Sequence, residues 1–292
     1  MFQLLQIELY KIFKRPRTYI AFAVIGAIIL LVQIALFFGG KEYVGLIMSG
    51  LNETFEVPAE EIMNGYLVCY IILNLLLIHV PILVALVAGD MVAGEANMGT
   101  LRLLVSKPIS RTKLLVVKFL ASSIYTILLL IWVAILALVV SILLFGTNDL
   151  FVAREVDSNI IAASDVMWRY FAALAFAALG LLTVTALAFM LSVFADNSIG
   201  PIVTTVCVII IFTVLTQMQI PFYDETVKPY LFTTHMLGWK GFFYVRGDEG
   251  VTLDGSIENF PMIVKSAIVL VGYAALFVIT AIWYFRKKNI LS

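Results

Sequence analysis

Two histidines, two cysteines and one Gly-Lys pair are the residues of this 292-residue chain whose types first invite chemistry. His79 lies in an apolar run and His235 in a polar one. A zinc site needs three or four clustered ligands, so no metal site is legible. Cys69 and Cys207 both fall within long apolar runs, where small buried thiols are expected and a structural disulfide is not. Gly40-Lys41 is followed by Glu42, and no Gly-x4-Gly-Lys-Ser/Thr occurs. Without that glycine-rich nest and its hydroxyl there is no phosphate cradle and no magnesium ligand. No catalytic residue and no resident cofactor are expected.

The chain that carries these residues is predominantly apolar. Hydrophobic residues make up 62% of the chain, charged residues 13%, and the mean hydropathy is +1.05. A soluble domain carries roughly 45–50% apolar and about 25% charged residues, so a soluble enzyme, a secreted disulfide scaffold and a disordered tail are excluded. Six stretches, 18–38, 66–89, 119–145, 171–195, 199–223 and 266–285, hold no Asp, Glu, Lys or Arg. Each reaches the roughly 20 residues that a helix needs to cross a bilayer. The runs do not alternate as barrel strands would. The expected fold is an all-α integral membrane protein forming a single transmembrane domain. The first stretch is too long for a signal-peptide core and has no small-residue cleavage site after it.

Charge fixes an expected orientation. Segments 1–17, 90–118, 196–198 and 286–292 together hold 12 Lys/Arg and four acids; segments 39–65, 146–170 and 224–265 hold seven Lys/Arg and 15 acids. The basic side is expected to be cytoplasmic, with both termini inside a plasma membrane. The net charge is zero, so no nucleic-acid partner is implied. Within 1–17, Phe2, Leu5, Leu9, Ile12 and Phe13 lie near one helical face. They read as an interfacial amphipathic helix ending at Pro16, with a plain basic stop-signal as the alternative.

The loop 90–113, between the second and third spans, is the most informative segment. Met91, Met98, Leu101, Leu104 and Val105 recur at helical spacing; Pro108 stops the helix and Ser110 can cap the next. A short amphipathic helix lying along the surface between two spans suits either docking of a soluble partner or mere connection. Gly94-Glu95, Gly99-Thr100-Leu101, Leu103-Leu104, Pro108-Ile109-Ser110-Arg111 and Lys118 resemble the cytoplasmic loop of ABC type-2 permeases. These are the membrane subunits of bacterial exporters such as the bacitracin-resistance, sodium-extrusion and nitrous-oxide-reductase-maturation permeases. The layout of the whole chain is similar as well.

The resemblance implies a permease subunit of an ATP-driven exporter. It implies two copies of a cytoplasmic ATPase that bind ATP and magnesium, and a second permease subunit, identical or related. It implies a coupling helix in this loop, with Glu95, Met98, Gly99, Thr100, Leu101, Arg102 and Leu104 at the ATPase. A smaller contact is implied at Asp196 and Asn197, and an outer segment, 224–265, that gates the mouth. That segment is rich in aromatics, which also suits a headgroup-level anchor.

Gln33, Asn74 and His79 are the polar residues singled out within the spans. Each either hydrogen-bonds between helices or lines a substrate path. The small residues Ala172, Ala173, Ala175, Ala177, Ala178 and Gly180 permit close helix approach in the fourth span. A secondary transporter is the alternative function, but no span holds the carboxylate on which ion coupling usually depends. The uncharged spans favour a lipid-like, peptide or otherwise apolar cargo in a bilayer setting.

Overall fold

In the computed structural model the described residues are 1–50, 62–105, 109–153, 158–218, 220–245, 247–248, 251–252 and 255–288. Helix α1, Phe2–Phe13, turns through Lys14 and Arg15 into α2, Pro16–Gly50. Pro16 is tolerated because the first turn of a helix has no use for its missing N–H. Thr18, buried, donates its hydroxyl to the Ile12 carbonyl at 2.5 Å and braces the corner. The separate first helix expected from the spacing is therefore present. Ile12 is buried and Leu5, Leu9 and Phe13 pack against the core, while Phe2 at the helix start is exposed.

Helix α3, Gly65–Ala88, is capped by the Asn64 side chain, which accepts from the Tyr66 and Leu67 amides. It bends by 51° between Gly65–Leu76 and Ile78–Ala88. Pro81 explains the place of the bend: its ring removes the N–H that would bond the carbonyl four residues back, at residue 77, and pushes on that carbonyl. Two short helices follow, α4, Ala93–Asn97, and α5, Thr100–Val105. Helix α6, Arg111–Ala134, begins at Ser110, whose hydroxyl accepts from the Lys113 amide as its position predicts. It continues through a π-helical turn, Ile135–Val140, into α7, Ser141–Phe145.

Helix α8, Ala163–Phe194, and helix α9, Ile199–Gln217, are followed by α10, Pro221–Thr226, and α11, Phe232–Met236. A 3-10 segment, Leu237–Phe243, and the last helix, α12, Phe260–Lys287, complete the order. Among the described residues, five helices are long and apolar enough to cross a membrane, and the bent α3 makes a sixth when counted as one span. The chain is thus a predominantly helical, multi-pass membrane protein. Large apolar side chains such as Phe38, Leu143 and Ile268 point outward from these helices, as they do where lipid rather than water is the neighbour.

The structure corrects two boundaries and two expectations of regularity. The fifth span ends at Gln217 and not at residue 223, because Ile220 precedes Pro221 and is held extended. The fourth begins at Ala163, eight residues early, carrying Asp165 and Arg169 into its first turns. The third is not α-helical throughout. The all-α expectation also omitted two small antiparallel hairpins, Leu150–Ala153 with Ser158–Ile161 and Gly247–Asp248 with Val251–Thr252.

Helix α8 forms the centre, packed against α12, α3, α6 and α9. Of its small residues, Ala173 and Gly180 are buried within the chain, while Ala175 is exposed. A Cβ on Gly180 would stand 3.1 Å from Met236, and one on Gly238 only 2.6 Å from the Phe176 ring. These glycines let the segment after α10 descend alongside α8. Arg169, fully buried, fixes that segment. Its guanidinium meets Asp165 at 2.5 and 2.9 Å and donates to the carbonyls of Phe242 at 2.7 Å and Ser256 at 2.8 Å.

Candidate functional site

The end of the bundle that carries α1 and the close of α12 holds a dense set of charges. On α1, Glu8 and Lys11 are one turn apart and pair at 2.7 Å. Glu8 stands in the middle of the inward face, between Leu5, Leu9 and Ile12, and is 4% exposed. Lys118, on the second turn of α6, is 1% exposed. Glu95 of α4 is 4% exposed. Lys11 contacts Glu95 at 2.8 Å, and Lys118 reaches Glu8 at 2.8 Å and Glu95 at 2.7 Å. Two carboxylates and two ammonium groups thereby alternate around a closed ring of zero net charge.

A buried charge is costly unless paired, and here each group has two opposite partners. Burial raises the Glu8 carboxyl, but Lys118 and Lys11 outweigh it and hold it below its ordinary value. Burial likewise opposes the charge on Lys11, and its bonds to Glu8 and Glu95 win, holding its ammonium above the ordinary lysine value.

Beside the ring, Asp90 pairs with both Arg15 and Arg17 and so ties the loop to the start of α2. Gly94 packs on the same carboxylate: a Cβ there would stand 2.5 Å from Asp90 Oδ1. Helix α4 has no cap of its own. The Ser192 hydroxyl, from the end of α8, accepts from the amides of Val92 and Ala93 at 3.0 and 2.9 Å instead, satisfying donors that a helix start leaves free. Arg111 caps α12 from α6, donating to the carbonyls of Phe285, Arg286 and Lys288. Cations suit that end of a helix.

The single helix expected across 91–107 is two helices. Gly99 takes a φ of +70°, a left-handed conformation that glycine adopts freely, and it breaks the chain between α4 and α5. This divides the expected docking residues. Met98, Gly99 and Thr100 are exposed, Met98 by 57%, and so is Asn97, which was not among them. Leu101 is buried, Leu104 half-buried and Glu95 engaged in the ring. The Arg102 side chain and Pro108 lie outside the described residues.

Asp196 and Asn197 are exposed on the turn between α8 and α9. Asp196 meets Lys288 at 2.7 Å, and the Asn197 side chain accepts from the Ile199 amide at 3.0 Å. Ser192 brings the end of α8, four residues before that turn, against the start of α4.

The three intramembrane polar residues separate. Gln33 is fully buried and bonds between helices, its amide donating to Leu136 O and Ser141 Oγ at 2.9 Å each. Its acceptors sit on the π-turn and at its close, and Gln33 Oε1 is left without a partner. Asn74 and His79 instead bond within α3, to the carbonyls of Tyr70 and Leu75. His79 is exposed on the outside of the helix. Sequence reasoning missed Glu8 as a site residue; the available signal was an acid lying on an otherwise apolar helical face. Among the described residues, no group of three or more His, Cys, Asp or Glu is placed to hold a metal ion.

The helices define a multi-pass membrane protein with a ring of buried charges at one end of the bundle and the Arg169–Asp165 pair at the other. The chain belongs to the DUF2705 family: the model of that family, described as a protein of unknown function, matches residues 26–291. No curated protein matches it.

Proposed function

We propose that the chain is the membrane-spanning permease subunit of an ABC-type exporter, itself no enzyme, working with two copies of a separate cytoplasmic ATPase and a second permease subunit. The observation that carries this reading is the mounting of the 97–100 tip. The tip projects from the bundle, yet its root, Glu95, is locked to α6 by Lys118 and to α1 by Lys11. A force applied at such a tip reaches a spanning helix through buried ion pairs and not through a slack loop. Closure of an ATPase on the tip would favour one arrangement of the helices over another, which a ligand must do to drive a transition.

The docking contacts are Asn97, Met98 and Thr100, joined by Asp196 and Asn197. Leu101 and Glu95 act from behind, as the seat of the tip. A second copy would sit on the outer face of α3, where Leu75, His79 and Leu86 are exposed. Membrane-facing imidazole is disfavoured unless a neighbour covers it. The basic end lies in the cytoplasm of the cell that makes the protein, with the membrane being the plasma membrane.

Two measurements test this. Affinity purification of the chain from its own cells is expected to bring down an ATPase, and Met98→Glu with Thr100→Glu is expected to release it while the permease stays folded. In liposomes the chain alone is expected to move no cargo along an ion gradient, and to export once ATPase and ATP are added. Stoichiometric retention of the ATPase by the double variant, or gradient-driven export by the chain alone, defeats the proposal.

A further inference from the structure

The corner between α1 and α2 carries more positive charge than its partners neutralise. Arg15 and Arg17 both donate to the same oxygen of Asp90, Oδ2. One carboxylate thus serves two guanidinium groups, each with five N–H donors, and among the described residues neither group has another acceptor. Lys14 is exposed and pairs with no acid among the described residues; its ammonium lies over the Tyr10 ring, 5.4 Å from the centroid. Three cations against one acid leave a net charge of +2 at the corner. The neighbouring ring differs, because its two carboxylates and two ammonium groups cancel.

These cations stand where a membrane surface meets them. The part of α2 that is long and apolar enough to span begins at Pro16. Tyr19 and Ile20, each 57% exposed, already face outward in its first turns. On α1, Ile7, Tyr10 and Lys14 are exposed at spacings of three and four residues and so share one outward stripe. It lies opposite the face that Leu9 and Ile12 turn to the core. An isoleucine, a phenol and an ammonium on one stripe suit the layer between acyl chains and headgroups. The Arg15 and Arg17 side chains are 31% and 36% exposed, so a ligand reaches them without opening the bundle.

The donors state what fits. A guanidinium fork matches an oxyanion with several acceptor oxygens, and phosphate is such an anion. A second anion beside Asp90 would offset the repulsion between the two arginines. A zwitterionic headgroup would bring its own cation toward Lys14 and gain less.

We infer that the α1–α2 corner is a binding site for the phosphate of an anionic phospholipid, held by Lys14, Arg15 and Arg17. The site needs no ATPase and no cargo, so it stands apart from the exporter reading. It also ties the lipid to the loop of the 97–100 tip, because Asp90, which shares the arginines, opens that loop.

The test is native mass spectrometry of the purified full chain in detergent, titrated with phosphatidylglycerol or with phosphatidylcholine of the same acyl chains. One phosphatidylglycerol per chain is expected to bind ahead of the rest, and phosphatidylcholine is expected to show no such first site. Lys14→Gln, which breaks no ion pair, is expected to weaken that first binding about fivefold, the worth of one cation at an anionic lipid surface. Lys287→Gln removes a lysine that lies over the Trp283 ring of α12 in the same way, at 4.0 Å, and is expected to leave the binding unchanged. Asp90→Asn removes the competing carboxylate and is expected to tighten it, which loss of a merely structural contact would not do. Equimolar inorganic phosphate is expected not to displace the lipid. Equal binding of the two lipids, equal losses in the two lysine variants, or unchanged affinity in Asp90→Asn overturns the inference. Displacement by inorganic phosphate gives the site to the free ion and overturns the lipid as its occupant. Where Asp90→Asn fails to fold, the contrast between the two lysines decides alone.

Discussion

Lys118 donates to Glu8 at 2.8 Å, joining the third apolar helix to the first helix of the chain across 110 residues of sequence. The contact is buried, and the same ammonium holds Glu95 of the following loop. One lysine therefore binds three elements that are separate in sequence.

Lys118→Met leaves two buried carboxylates with Lys11 alone between them. Removing one member of a buried pair costs about 3–5 kcal/mol, and a drop of that order is expected in the unfolding free energy in detergent. Adding Glu8→Gln and Glu95→Gln to the same chain is expected to restore most of it, because uncharged groups of similar volume replace the pair. Equal stability of the single variant and the native chain would mean that the ring carries no net load.

The ring also sets a pH window for the seating of α1. Glu8 is depressed in the folded state, so its contribution is complete above the unfolded carboxyl value, about 4.3, and is lost as pH falls through the lower folded value. Lys11 is raised, so its contribution is complete below about 10.4 and is lost as pH rises through the higher folded value. A spin label at Tyr10, an exposed position of α1, is expected to stay immobile from about pH 5 to 10 and to loosen outside it. Glu8→Gln is expected to abolish the acid limb, and Lys11→Met the alkaline one.

What was legible in the sequence follows from how local each signal is. Pro16 and Ser110 act within a turn of themselves, and the corner and the cap stand where those residues put them; Pro221 acts as locally, but the apolar count ran through it to residue 223. Periodicity carried the loop too far, because Met98, Leu101 and Leu104 keep helical spacing across Gly99, and the spacing cannot show that Gly99 takes a positive φ. Glu8 and Lys118 are 110 residues apart, so neither marks the other; only the place of Glu8 among Leu5, Leu9 and Ile12 hinted at burial. The apolar count started the fourth span at residue 171, and so left out Arg169, whose partners Phe242 and Ser256 belong to the far end of the chain. The four-residue strand Leu150–Ala153 is too short for any period to declare it.

The bend of α3 is expected to relax when its cause is removed. Pro81→Ala returns the N–H and takes away the ring that crowds the preceding turn. Labels at Leu75 and Leu86, exposed on the two arms, are expected to move apart toward the separation of a straight helix, about 1.5 Å per residue. An unchanged EPR distance would place the origin of the 51° bend in the packing around α3 instead.

Arg169→Met strips four hydrogen bonds from the junction between α8 and the outer segment. It leaves Asp165 with Trp168 and Gly255 as donors and takes a donor from two carbonyls, and a loss of about 3–5 kcal/mol is expected. Hydrogen exchange is expected to rise selectively across 237–258, with α4 and α5 at the opposite end unchanged. A uniform rise along the chain would show that Arg169 supports the whole bundle and not the outer segment alone.

The side on which the charged ring lies can be read by labelling. The 12 Lys/Arg on the segments of the ring end, against seven on the others, are the ground for proposing that this end lies in the cytoplasm. Met98 is exposed at the ring end and Tyr230, 73% exposed, lies in the segment between α9 and α12. With Cys207 changed to Ser to remove the exposed native thiol, a membrane-impermeant maleimide on intact cells is expected to label Tyr230→Cys at once. Met98→Cys is expected to react only after the cells are opened. The reverse order would turn the protein over in the membrane, put the 97–100 tip out of reach of any cytoplasmic ATPase, and with it remove the basis of the exporter proposal.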